Sequence, residues 1–132
     1  MELALACDLR FISDKGEIGQ LESLMGIIPG AGGTQRMCRL IGGAKALEIM
    51  LSGRRVDAEE AAQLGLVNRI FPHEHLTDEV MKIAERLSRL HPASIKGIKK
   101  SVLKGGSLSL PSGIKIEQAA FLHSVGFGTV QE

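Results

Sequence analysis

Two glutamates pose the chemical question in this sequence. Glu2 stands one step inside the apolar run "MELALAC", and Glu22 closes the stretch "GQLE". Two carboxylates that share a desolvated site push each other's pKa values apart, so that one is ionised while the other is protonated. Such a pair suits a reaction that takes a proton from water and gives one to carbon. On a single continuous helix their separation would be about 30 Å, too far for a shared step. The polar turn "SDKGE" lies between them, however, and lets the chain double back toward one cleft. Spacing alone favours the simpler alternative, two solvated surface glutamates.

The other reactive side chains form weaker patterns. "PGAGGTQR" could cradle an anion at the start of the following helix, but it fits neither the phosphate-loop pattern nor the dinucleotide fingerprint. Taken alone it reads as a tight turn that needs positive φ. His73, His75, His91 and His123 are scattered without a carboxylate cluster and read as solvated. Lys96, Lys99, Lys100 and Lys104 form a basic helix face of the kind usually solvated, with contact to an acidic cofactor as the alternative. Cys7 and Cys38 have no metal-ligand spacing and read as reduced thiols.

The elements that must position these groups are short strands first and helices afterwards. Residues 1–7 read as a helix that is apolar on nearly all sides, the pattern of a fully buried one. "DLRFI" and the piece reaching Glu22 read as short extended segments. "GII" is a strand-like start, followed by a glycine-dense turn and a helix from Thr34 to the stop at Gly42 and Gly43. A helix over 44–52 ends at Gly53, and Asp57 with Glu60 makes a capping box for a helix that Gly65 ends. "LVNRIF" is a strand halted by Pro72. Leu76, Val80, Ile83, Leu87 and Leu90 recur at helical spacing. Pro92 and Pro111 start the last two helices, the second burying Ile114 and Phe121 and stopping near Gly126.

Composition narrows the class. The 132 residues are 44% hydrophobic and 23% charged, as in an ordinary globular domain. A net charge of +1 gives no global attraction to nucleic acid or anionic membrane, and 3% aromatic content leaves little for base stacking. No stretch is long and apolar enough for a membrane span, and "MELALAC" lacks the basic start of a signal peptide.

Taken together and in order, "ELALACDLR", "GQLE", "GIIPGAGGTQR" and "SGRRVDAEEAAQLGLVNRIF" resemble the crotonase superfamily, most closely its enoyl-CoA hydratases. The resemblance implies an α/β fold: the last short strands of a crotonase-like core over 1–70, a helical oligomerisation region over 71–126, and a frayed tail over 127–132. It implies that Glu2 and Glu22 are the catalytic pair, which holds a water and adds it across the double bond of a 2-enoyl thioester. Gly30 falls where the family places a backbone amide beside that water. Possession of both glutamates favours hydration over isomerisation. The implied ligand is a coenzyme A thioester, bound as substrate, with no separate cofactor and no metal. The implied assembly is a homotrimer or hexamer, without nucleic acid or membrane partners, in the mitochondrial matrix or a bacterial cytoplasm.

The sequence departs from the family pattern at Leu21 and Cys38, where prolines are common. In the family the oxyanion amides come from a turn just before Glu2 and from a loop further upstream. One lost oxyanion donor costs about 10²–10³ in rate, so this chain alone is expected to be inactive. The competing readings are another crotonase activity, such as an isomerase or a methylglutaconyl-type hydratase, and a non-catalytic subunit of a crotonase oligomer.

Overall fold

Short extended pieces cannot satisfy their own backbone groups, so the first question is what each one pairs with. The computed structural model describes residues 1–128. Helix α1 (Glu2–Ala6) leads into β1 (Phe11–Ser13), a turn, and β2 (Glu17–Gly19). A 3-10 turn (Glu22–Met25) and a glycine loop precede α2 (Gly33–Ile41) and α3 (Gly43–Ser52). Then come β3 (Arg55–Asp57), α4 (Ala58–Gln63) and β4 (Arg69–Phe71). A second 3-10 turn (His73–His75) runs into α5 (Leu76–Ser88). Helix α6 (Pro92–Lys100) continues as a π turn (Ser101–Gly105), and α7 (Leu110–Gly128) follows.

Two strand pairs result. β1 lies parallel to β4 with Ile12 opposite Ile70, and β2 lies antiparallel to β3 with Ile18 opposite Val56. Arg10 fastens the first pair. Its guanidinium donates to the carbonyls of Leu66 and Cys7, both at 2.7 Å, and its amide donates to Asn68 Oδ1 at 2.7 Å.

The chain forms two compact units, Met1–Lys82 and the residues from Ile83 onward. In the first unit, Leu5, Ile12, Met37, Ala46, Ile49, Val56, Ala58, Ala61, Leu66 and Val67 form one buried cluster. In the second unit, α6 and α7 meet through small residues. A Cβ on Gly97 would lie 3.6 Å from Ala120 Cβ, and one on Gly105 would lie 3.4 Å from Gly113 Cα. The His91 side chain caps α6 by accepting from the Ala93 amide at 3.2 Å.

Several expectations are corrected. Helix α1 is not buried all round: only Leu5 is buried, and Leu3 is 83% exposed. An all-apolar helix needs partners on every side, and the contact that defines α1 here is with α2. "GII" is no strand, because Gly26 in the left-handed region (φ 71°) ends the 3-10 turn and turns the chain away. Ile114 and Phe121 are exposed rather than buried, since α7 lays its glycine and alanine face on α6. Helix α7 runs past Gly126 to Gly128, so the first two residues of the expected tail are helical. The others, 129–132, lie outside the described residues.

The capping box over Asp57 and Glu60 is half formed. Asp57 Oδ1 accepts from the Glu60 amide at 2.8 Å. The Glu60 carboxylate does not reach back but takes Arg54, at 2.6 and 2.7 Å. Arg54 also grips Glu48 at 2.6 and 3.0 Å, which links α3 to α4 through a bidentate cation. Beside that guanidinium the Glu48 carboxyl is held down at about 2, and Glu60 is lowered for the same reason.

Ile49 is fully buried, so Ile49→Ala should cost about 2–5 kcal/mol in urea unfolding. The lowered carboxyls of Glu48 and Glu60 contribute stability that is in place above their ordinary value of 4.5. It is lost as pH falls toward about 2, where Glu48 takes its proton. Arg54→Met should therefore lower the unfolding midpoint at pH 6 and flatten its decline in acid. Because the groups are partly exposed, added salt should reduce the difference.

Candidate functional site

The site is built around the start of α2. A helix begins with amides that have no intrahelical acceptor, and they must find one elsewhere. The N-cap of α2 is Gly32, which has no side chain to offer. Glu2 fills that role from α1: its Oε1 accepts from the Ala31 amide at 2.8 Å and from the Gly33 amide at 2.6 Å. Charge-assisted hydrogen bonds of this kind, at the positive end of a helix dipole, are among the stronger ones in proteins. They fix one oxygen of the carboxylate and leave Oε2 for other partners.

Gly33 is the pivot. It is buried, and a Cβ there would overlap Gln20 Nε2 and lie 2.9 Å from Glu2 Oε1 and 3.0 Å from Pro29 Cβ. Only glycine lets the strand end that carries Gln20 and the helix that carries Glu2 close on the same point. Gln20, at 2% exposed, is the buried amide of this site.

Glu22 lies two residues beyond Gln20, at the head of the 3-10 turn. Ser23 Oγ anchors that turn by donating to the Met50 carbonyl at 2.6 Å. Leu24 sits against Gly53, which adopts the left-handed conformation (φ 59°) that ends α3. Two polar atoms here are buried without a hydrogen-bond partner, Gln20 Nε2 and Glu22 Oε2. Each such atom costs about 1–3 kcal/mol when left without a partner, and the two belong to residues that flank Leu21 in one short loop.

An apolar cavity of about 390 Å³ opens next to the Glu22 turn, walled by Ser23, Ile27, Pro29, Cys38, Leu47 and Met50 among others. Gly30 is exposed, with open space where a Cβ would be. Among the described residues there is no group of three or more His, Cys, Asp or Glu able to hold a metal ion. None of their helices is long and apolar enough to cross a membrane.

Glu2 therefore meets the glycine turn directly, and Glu22 shares a short loop with the Gln20 that touches the same glycine. Sequence reasoning missed Gln20 and Arg36, whose guanidinium donates to the Ala31 carbonyl at 2.8 Å. The available signals were a polar amide at a strand end and a cation in the first turns of a helix, where the dipole disfavours it.

The model of the enoyl-CoA hydratase/isomerase family matches residues 1–131. The chain is 41% identical over 120 residues to the short-chain-enoyl-CoA hydratase of Clostridioides difficile, a match covering 91% of this chain and 77% of the relative. It is 39% identical to the mitochondrial enoyl-CoA hydratase of Pongo abelii, covering 91% of this chain and 41% of that one. Among solved structures, enoyl-CoA hydratase subunit I of Geobacillus kaustophilus superposes with a TM-score of 0.92 at 42% identity. That match covers 95% of this chain and 49% of the Geobacillus one. A Thermobifida fusca protein described as an enoyl-CoA hydratase, solved with acetoacetyl-CoA, gives a TM-score of 0.89 at 32% identity and covers 95% and 49%. The chain thus spans about half the length of both crystallised relatives, and its fold is that part of the crotonase fold. By sequence and by structure, the chain belongs to the enoyl-CoA hydratase/isomerase family.

Proposed function

We propose that these residues carry the two-carboxylate part of an enoyl-CoA hydratase site, with Glu2 and Glu22 as the acid–base pair. The observation that supports the reading is the fixing of Glu2 at the glycine turn, with one oxygen held and one available, while Glu22, two residues beyond the Gln20 side chain that packs on Gly33, carries a buried oxygen without a partner. A water held between such groups loses a proton to one carboxylate while its oxygen bonds to the β-carbon of a 2-enoyl thioester. The other carboxylate delivers a proton to the α-carbon on the same face. The double bond is consumed, no electron donor or acceptor is needed, and the product is the 3-hydroxy thioester. Gly30, in the open turn before Ala31, is the proposed amide contact to that water. The apolar cavity beside Glu22 suits an acyl chain.

The enolate-like thioester oxygen also needs donors. The converging amides at this site, Ala31 and Gly33, already donate to Glu2, so those donors must come from other residues. We place the ligand as a coenzyme A thioester with no separate cofactor, in keeping with the acetoacetyl-CoA bound to the Thermobifida relative. Assembly as a homotrimer or hexamer, in a mitochondrial matrix or bacterial cytoplasm, belongs to the same reading. The exposed apolar side chains Ile98, Leu103, Phe121 and Leu122 support a covered helical face.

The test is a chimera in which residues of this chain replace the matched segment of the Geobacillus relative. Hydration of a short 2-enoyl-CoA is followed by loss of enone absorbance. The chimera should turn over, and Glu2→Gln and Glu22→Gln should each lower kcat by about 10²–10⁴. The 132-residue chain assayed alone should show no turnover. A folded chimera without activity, or one whose Glu22→Gln variant keeps its kcat, would contradict the assignment.

A further inference from the structure

We propose that Arg36 is a positioning residue that acts on Glu2 through the glycine turn. The inference rests on the reading of Glu2 as a working carboxylate, but its geometry stands on its own. Three consecutive residues divide their backbone groups between two side chains. The amides of Ala31 and Gly33 converge on Glu2 Oε1, while the carbonyl of Ala31 points to Arg36 and accepts from Nη1 at 2.8 Å. The peptide unit between Ala31 and Gly32 is therefore clamped on its oxygen side, and the amides that flank it are aimed at the carboxylate. Successive amides turned inward in this way form an anion-binding concavity.

Gly32 makes the clamp possible. Its φ of 96° lies in the left-handed region, and a Cβ there would overlap Arg36 Nη1, so the guanidinium packs directly on the backbone. Arg36 itself is exposed, and it stands one turn into α2, where a cation faces the positive end of the helix dipole. No acidic residue of α2 offsets it in that turn. The Ala31 carbonyl is the contact that holds it there. Cation, turn and carboxylate thus make one unit in which Arg36 sets the direction of the amides that set Glu2.

The test uses the 132-residue chain and the variants Arg36→Met and Arg36→Gln, both lacking the guanidinium, so that the result does not depend on either one folding. Proton NMR should show the Ala31 and Gly33 amide signals moving upfield in either variant. Their hydrogen exchange should quicken about five- to tenfold, the equivalent of one hydrogen bond's net worth. The amide of Gly42, at the far end of α2, should not change. In a Glu2→Gln background the same Arg36 substitution should shift the unfolding midpoint less than it does in the native chain, because the acceptor of the aimed amides has been weakened. Unmoved Ala31 and Gly33 amides, or fully additive midpoint shifts, would overturn the proposal. Neither readout involves turnover, so failure of the positioning role is distinguishable from failure of the hydratase reading.

Discussion

One oxygen of Glu2 holds the amino end of α2 together. The helix starts at two glycines, neither of which has a side chain to cap it. Without the bonds from Ala31 and Gly33 to Oε1, those amides would lack an acceptor and α1 would lose its polar tie to the rest of the unit. The same bonds explain the glycine density of the turn. Gly32 must be left-handed to aim the amides, and Gly33 must lack a Cβ so that Gln20 can reach the same point. A carboxylate held this firmly serves structure with one oxygen and leaves the other outside that network, which is what the proposed role of Glu2 requires.

Glu22 depends on a second set of constraints. The bond from Ser23 to Met50 and the seat of Leu24 on Gly53 fix its 3-10 turn to the carboxyl end of α3. Helix α3 is in turn tied to α4 through the Arg54 bridge. Surface ion pairs contribute little individually, but this one joins α4 to α3, the helix on which the turn rests. The stability of α3 and α4 and the placement of Glu22 are thus linked by a few side chains of ordinary type.

Much of this was legible in the sequence because glycine, proline and apolar spacing act locally. The stop at Gly53, the end of β4 before Pro72, the period of α5 and the Pro92 start all report on a few neighbouring residues. Burial was harder to read. The apolar run of α1 implies partners on every side, yet whether they exist is a property of the tertiary structure. The exposed Phe121 shows the same: helical period gives a face, while the small residues Gly97, Ala120, Gly105 and Gly113 decide which face packs. At the site, the types and order of Glu2 and Glu22 could be read directly. The capping of α2 by a glutamate 31 residues from Gly33 could not, because a long-range bond leaves no periodic trace. Gln20 and Arg36 escaped notice for the same reason, since each acts on backbone distant from it in sequence or hidden in a turn.

The central claim is that Glu2 and Glu22 act on one water as a single unit. Groups that act as a unit are strongly non-additive, since removing either disables both. The decisive measurement is kcat for Glu2→Gln, Glu22→Gln and the double variant, in a folded protein that contains this segment with its oxyanion donors. If the account is right, the double variant is about as slow as the worse single one. Losses that multiply would show two carboxylates working independently and contradict it.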